Sequence, residues 1–490
     1  MTFVSLAFLV FFIGITVAYY LCPPRFRWAL LLAGSCYFYA VFVPKYIFVL
    51  FFIILVDFIL ARWMEQTEGA AKRSLFVAGV VVTVGVLFVF KYFNFFNENI
   101  AALAQALQWN YSIGALSFLL PLGLSFHTFQ SVSYLIEVYR GNYPAERHLG
   151  IYALYVMFFP QLVAGPIERP AHLLPQFKKT VSFDTGNVLS GLRLMLWGFF
   201  KKIVIADRLA LSVNYVYANI AAVPGPSILF AMFAFGFQLY ADFSGYTDIA
   251  RGSARVLGID LVRNFNQPYV SHSIAEFWRR WHISLSSWFR DYVYIPLGGN
   301  RAGRWKQYRN VLIVFAIMGF WHGAAWTFVI MGLLFGSSVV LGHLTEPLRQ
   351  RGAAWVGLDR LPRLHAALQV AITFAVVNIG WVFFRSPDVP TAVAFLKQLF
   401  VGWHLSLAQF VDGYVMHPFL TLGIRNIELG LSIGFILILL FVEHMERQQR
   451  LTTFLKTQPL FVRSILYSSL VLAIVLFGLF TTNAFIYFQF

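Results

Sequence analysis

The chain is written as long apolar runs broken by short polar connectors. A helix needs roughly 20 predominantly apolar residues to cross the hydrocarbon core of a bilayer. Runs of that kind fall at 3–20, 28–42, 46–61, 75–90, 116–139, 151–164, 189–205 and 228–240. Residues 311–320 and 324–341 follow as one nearly continuous run, and 368–384, 429–442 and 465–480 complete the series. The pattern predicts an all-α, polytopic integral membrane protein with about eleven to thirteen spans plus re-entrant and interfacial helices. It shows no repeat, low-complexity tract or soluble domain, so 1–490 reads as one membrane unit. Helices of 1–115 lead, a core of about 116–385 follows, and helices of 386–490 close the chain.

Two stretches are too polar to span. Residues 346–363 carry Arg349, Arg351, Arg360 and Arg363 and read as cytoplasmic. Residues 386–428 are mixed, and "SPDVPTAVAFLKQLF" within them predicts an N-capped amphipathic helix at an interface. Loop charge sets orientation. Arg25 and Arg27 follow the first run, and Arg62, Lys72 and Arg73 the third. Only Lys45 follows the second, and Lys91 is offset by Glu98 after the fourth. This places the N-terminus outside the cytoplasm and Arg447, Arg450, Lys456 and Arg463 inside, with the final "FIYFQF" outside.

Composition sharpens the class. The chain is 59% hydrophobic and 12% charged, against about 25% charged for soluble domains. The net charge of +16 belongs to cytoplasmic loops of a membrane protein, so no nucleic-acid partner is expected. Cys22 and Cys36 match no zinc or redox spacing. The first twenty residues hold no Lys or Arg and no clear cleavage site, so they read as a span and not as a removable signal.

One segment is unlike the rest: "AEFWRRWHISLSSWFRDYVYIPLGGNR" from Ala275. On one helix over 275–292, Trp278, Trp281, His282, Leu285, Phe289 and Tyr292 share a face, and Glu276, Arg279, Arg280, Ser287, Arg290 and Asp291 the other. Pro296, Gly298 and Gly299 then end the helix. The basic residues read either as an anchor to anionic headgroups or as a grip on an anionic ligand, since arginine binds phosphate bidentately. The tryptophans alone read as an interfacial belt. His282 sits on the apolar face, away from the arginines.

A second segment, "GFWHGAAW", puts His322 beside Trp321 in a stretch, 311–342, with no Asp, Glu, Lys or Arg. A charged group at such depth costs about 2.5–3.5 kcal/mol on insertion scales, so an ionisable side chain there is a functional candidate. A neutral imidazole is the form a general base uses. Gly319 and Gly323 form a G-x-x-x-G spacing that places His322 at a helix–helix seam; a structural histidine bonding a neighbouring helix is the alternative. His127 reads as a packing residue. Asp242 and Asp248 flank Gly245 and could line a cavity or cap a helix start. No metal-ligand spacing, Walker motif or G-x-S-x-G elbow occurs.

Taken together, "EFWRRWHISLSSWFRDYVYIPLGGNR" and "GFWHGAAW" resemble the membrane-bound O-acyltransferase superfamily. "PLGLSFHTFQSVSYLIEVYRG", "FFPQLVAGPIERP", "ADFSGYTDIARG" and "NIGWVFFRS" support this, and "FIYFQF" resembles the alginate O-acetyltransferase-like bacterial branch. His127 and Arg251 depart from that branch's pattern. The resemblance implies that His322 is the essential histidine and His282 the second one, in a ring of helices around a central tunnel. Trp278, Arg279, Arg280, Trp281, Arg290, Asp291 and Trp321 are candidate substrate contacts. It implies a cytoplasmic acyl thioester donor, acetyl-CoA, with no bound cofactor or metal. The acceptor would be a hydroxyl of an exported polysaccharide or a periplasmic or membrane-anchored partner protein, at the bacterial inner membrane. The rival class is a transporter or flippase for a lipid-linked or anionic substrate.

Overall fold

The structure is a computed structural model that describes every residue except 42–43, 164, 302, 404–425, 449–453, 456, 481–484 and 487–490. Much of the mixed stretch at 386–428 and most of "FIYFQF" therefore lie outside the described residues. Among the described residues every regular element is helical. Six helical segments among the described residues are long and apolar enough to cross a membrane: Pro44–Glu65, Gly69–Ala106, Gly225–Val256, Trp326–Leu344, Pro362–Arg385 and Leu460–Phe477. Their outer faces leave large apolar side chains uncovered, Phe48, Ile372 and Val475 among them. Such a surface belongs in lipid, because soluble monomers do not leave apolar patches of that extent exposed.

The chain divides into two compact units, Met1–Met195 with Thr247–Arg263, and Leu196–Tyr246 with Asn264–Phe490. The first contains α1 (Leu6–Leu21), α2 (Arg27–Ala40), α3 (Ile47–Glu65), α4 (Gly69–Leu87), α5 (Phe93–Ala106), α6 (Leu124–Arg140), α7 (Leu149–Met157) and α8 (Pro170–Lys178). It is centred on α6, whose residues 124–135 are buried on every side. Two expected spans are shorter than their apolar runs. The run at 116–139 becomes helical only at Leu124, after Gly123 takes φ +77 with its α-carbon beside the Leu162 carbonyl; a Cβ there would lie 2.3 Å from that oxygen. The run at 151–164 stops as a helix at Met157, where Phe158 leaves the helical region and its neighbour Phe159 gives its N–H to Ser35 Oγ of α2 at 3.0 Å. His127 of α6 is 1% exposed within this unit.

The second unit begins near the end of α9 (Thr185–Phe199) and includes α10 (Asp207–Ala218) and most of α11 (Gly225–Val256). It continues with α12 (Ile274–Arg280), α13 (Ile283–Phe289), α14 (Arg304–His322), α15 (Trp326–Leu344), α16 (Glu346–Trp355), α17 (Pro362–Arg385), α18 (Val389–Gln398), α19 (Asn426–Arg447) and α20 (Leu460–Phe477). The interfacial helix expected near 386–400 is α18. Asp388 caps it, its carboxylate accepting the Thr391 N–H at 2.8 Å. Asp242 and Asp248 both lie in mid-α11, so neither caps a helix start.

Candidate active site

The expected continuous helix over 275–292 is broken at Trp281–His282. Ser273 opens α12 by accepting the Glu276 N–H, and Glu276 in turn accepts the His272 N–H at 2.8 Å, a reciprocal arrangement close to a capping box. Trp281 then turns extended, and His282 adopts φ 43, ψ 55 in the left-handed region. The cause is remote in sequence. Asn264 accepts the Ile283 N–H on its backbone oxygen at 2.9 Å and the Ser284 N–H on its side chain at 3.2 Å. Two leading amides of α13 are thereby satisfied without a preceding helical turn. The two-faced partition survives the break in part, with Tyr292 of one face and Glu276, Arg280, Ser287 and Asp291 of the other half-buried. Trp278, Trp281, His282, Leu285 and Phe289 are buried, and Arg279 and Arg290 are exposed.

His322 is the last residue of α14, and the run expected to be nearly continuous is a hairpin. Gly323 and Ala325 are extended, and α15 returns antiparallel against α14. The two helices approach where glycines meet: a Cβ on Gly319 would lie 2.9 Å from Gly332 Cα, and one on Gly332 only 2.2 Å from the Phe315 carbonyl. Gly319 thus lies in the expected seam. Gly323 lies beyond the helix, with its α-carbon against the Phe328 ring.

These two breaks bring the histidines together. Trp321 meets the His282 ring at 6.1 Å between centroids and the His322 ring at 4.9 Å. The two imidazoles are 0% and 5% exposed. Phe243 of α11 lies edge-on to His282 at 4.8 Å, and Phe384 of α17 lies edge-on to His322 at 5.8 Å. An aromatic wall continues from there through Trp381, which packs on Trp281 at 5.0 Å and on Phe335 at 5.5 Å.

A cavity of about 270 Å³ lies alongside, bounded by Trp278, Arg279, Arg290, Val311, Phe315 and Met318 among others. Its lining is almost wholly apolar. It follows α14 from Val311 to Met318, one turn short of His322, and two arginines stand among its lining residues. Of the expected substrate contacts, Trp278, Arg279 and Arg290 line this cavity, and Trp281 and Trp321 pack around the histidines. Arg280 does not line it: it is held by Glu276 at 2.8 Å and by the Asn266 carbonyl at 3.2 Å. Asp291 pairs with Arg290 at 2.8 Å. The sequence reading missed Asn264, Phe243 and Phe384. Phe384 lies in the quoted "NIGWVFFRS", but nothing local marks which of its aromatics meets His322.

Residues 147–351 match the membrane-bound O-acyltransferase family. The chain is 38% identical over 432 residues to the probable alginate O-acetylase AlgI of Azotobacter vinelandii, covering 84% of this chain and 79% of that protein. It is 36% identical over 426 residues to the peptidoglycan O-acetyltransferase of Helicobacter pylori, covering 81% and 77%. It is 27% identical over 338 residues to the teichoic acid D-alanyltransferase of Bacillus subtilis, covering 66% and 81%.

Proposed function

The chain belongs to the membrane-bound O-acyltransferase family, and from that premise we propose that it moves an acetyl group from cytoplasmic acetyl-CoA to a hydroxyl on the other side of the bacterial inner membrane. The observation that carries this reading is the meeting of two buried imidazoles on Trp321, beside an apolar cavity lined in part by Arg279 and Arg290. Two arginines suit the phosphates of a nucleotide-bearing thioester. An apolar lining suits its acyl end.

His322, neutral, takes the proton of the acceptor hydroxyl as its oxygen attacks the thioester carbonyl. The tetrahedral oxyanion collapses, the C–S bond breaks, and the imidazolium returns the proton to the departing thiolate. His282, which shares the Trp321 ring with His322, supplies a second imidazole as a hydrogen-bond donor to the acceptor or to the oxyanion. No serine or cysteine is needed as a covalent nucleophile. The acceptor is a hydroxyl of an exported polysaccharide, or of a periplasmic or membrane-anchored protein that passes the acetyl group on. The names of the alginate and peptidoglycan acetylating relatives support a carbohydrate polymer as the final destination.

The test is transfer of radiolabelled acetyl from acetyl-CoA, supplied on one face of proteoliposomes, to O-deacetylated alginate or peptidoglycan on the other. The wild-type chain is expected to label the polymer. His322→Ala, eluting as a folded protein, is expected to lose about 10²–10⁴ of the rate. Full transfer by a folded His322→Ala variant overturns the base assignment. Polymer movement without labelling would instead make the chain a transporter.

A further inference from the structure

Three charged side chains lie buried together in the second unit, away from the arginines of the cavity. Lys202 Nζ is 2.9 Å from Asp207 Oδ1 and 2.6 Å from Asp242 Oδ1, and none of the three side chains is more than 4% exposed. Lys202 lies in a π-helical stretch, Phe200–Ala206, between α9 and α10. It reaches Asp242 because α11 comes close at Gly245, where a Cβ would lie 2.8 Å from the Gly198 carbonyl. A buried ion pair is weak evidence of stabilisation, since desolvation offsets most of the attraction; its best-attested use is to fix a register.

What it holds in place is the C-terminal segment. Asp242 Oδ2 accepts the backbone N–H of Ile486 at 2.9 Å. The Ile203 carbonyl of the π-helical stretch accepts the Leu479 N–H at 3.2 Å, and Arg208 donates to the Phe477 carbonyl. Phe477, Leu479 and Ile486 are thus each tied through a backbone group. Those ties seat Phe485, 3% exposed, in a stack on Tyr246 at 4.5 Å and against Phe243 at 5.6 Å. Phe243 is the ring that meets His282 edge-on. A side chain held in the left-handed region persists only where its surroundings over-determine it, and Phe243, backed by Phe485, is one wall of that seat.

We propose that Asp242, aligned by Lys202, is a positioning residue for acyl transfer: it clamps Phe485 behind Phe243 and so holds the His282 imidazole against Trp321. The proposal rests on the reading of His282 as part of the active site. Phe485 and Ile486 are accordingly components of the site.

The test uses the full chain in detergent, with carbethoxylation by diethyl pyrocarbonate read by peptide mass spectrometry. The variants are Asp242→Ala, Asp242→Asn and Phe485→Ala. In Asp242→Ala and Phe485→Ala, modification of His282 is expected to rise about tenfold, as a displaced wall would allow. His127, buried in the first unit, should stay protected. Asp242→Asn has a single oxygen for the Ile486 N–H and Lys202 to share, so its His282 labelling is expected to fall between wild type and Asp242→Ala. In the transfer assay Phe485→Ala should lower kcat about tenfold and displace its pH profile, with KM for acetyl-CoA within about twofold. His282 labelling within about twofold of wild type in folded Asp242→Ala and Phe485→Ala would overturn the clamp; so would His127 labelling that rises in step, because the role would then be structural only. Should Asp242→Ala fail to fold, Phe485→Ala decides, since it leaves the charges intact. An inactive wild-type chain would count against acyl transfer, while the labelling pattern still judges the clamp.

Discussion

His282 sits in a conformation that a β-carbon resists. The left-handed region costs an L-residue about 1–2 kcal/mol, less for asparagine, whose short polar side chain tolerates it. The expected outcome is therefore a split between folding and activity. His282→Asn should elute and melt like the wild type yet transfer poorly. His282→Val, β-branched, should lose roughly 1–2 kcal/mol of stability as well. Thermal unfolding followed by size-exclusion fluorescence separates the two; equal melting of both variants would show that the joint carries no strain. His322 stands out in the sequence because it lies in a run without charge, whereas His282, which by itself reads as a packed core histidine, stands out only through the family resemblance. Their neighbours do not stand out. The chain has 54 phenylalanines, and only packing decides that Phe243 and Phe384 are the ones that meet an imidazole.

At the level of helices, close approach of α14 and α15 fixes where His322 stands. Gly332→Ala would push a methyl group to 2.2 Å from the Phe315 carbonyl, and overpacking of this kind costs about 1–3 kcal/mol. Gly342, on the same helix, has open space around it, with nothing within 4 Å of where a methyl group would stand, so Gly342→Ala should be neutral or stabilise by up to about 1 kcal/mol. Melting temperatures in one detergent compare them, and a Gly332→Ala variant as stable as Gly342→Ala would refute the seam. The hairpin was hidden because its turn, Gly323–Ala325, carries no polar punctuation to interrupt the apolar run. The break between α12 and α13 was hidden for a different reason. Local propensity allows a helix through "WRRWHIS", and the competitor for its amides, Asn264, comes from a separate segment. By contrast, α18 was readable in full, since its cap, its proline and its apolar spacing are all local.

For the whole molecule, composition settled the solvent before any element was placed: a chain so apolar and so poor in charge has to live in a bilayer. One titratable contact outside the spans ties a loop to a short helix. In the first unit, Glu168 accepts the Val262 N–H and lies 2.6 Å from His172 Nδ1. The Glu168 hydrogen bond raises the His172 pKa above its ordinary value, despite partial burial that acts the other way. A raised folded-state pKa means stabilisation that is full below the unfolded value, about 6.5, and lost as pH rises through the folded one. His172→Gln should therefore lower the melting temperature at pH near 6 more than at pH near 9; a difference that does not change with pH would mean that the pair contributes no charge. The wall of the cavity has a further consequence. From Val311 to His322, α14 rises about 16 Å at about 1.5 Å per residue. In the proposed reaction, a donor whose phosphates sit with Arg279 and Arg290 in the cavity would carry its carbonyl past Met318 toward His322 on a thin, extended arm. The helix acts as a ruler. Under the proposed donor reading, acetyl esters without such a tether, however reactive, are expected to fall short of the histidine or arrive unaligned, so that only carriers of the right reach would be spent.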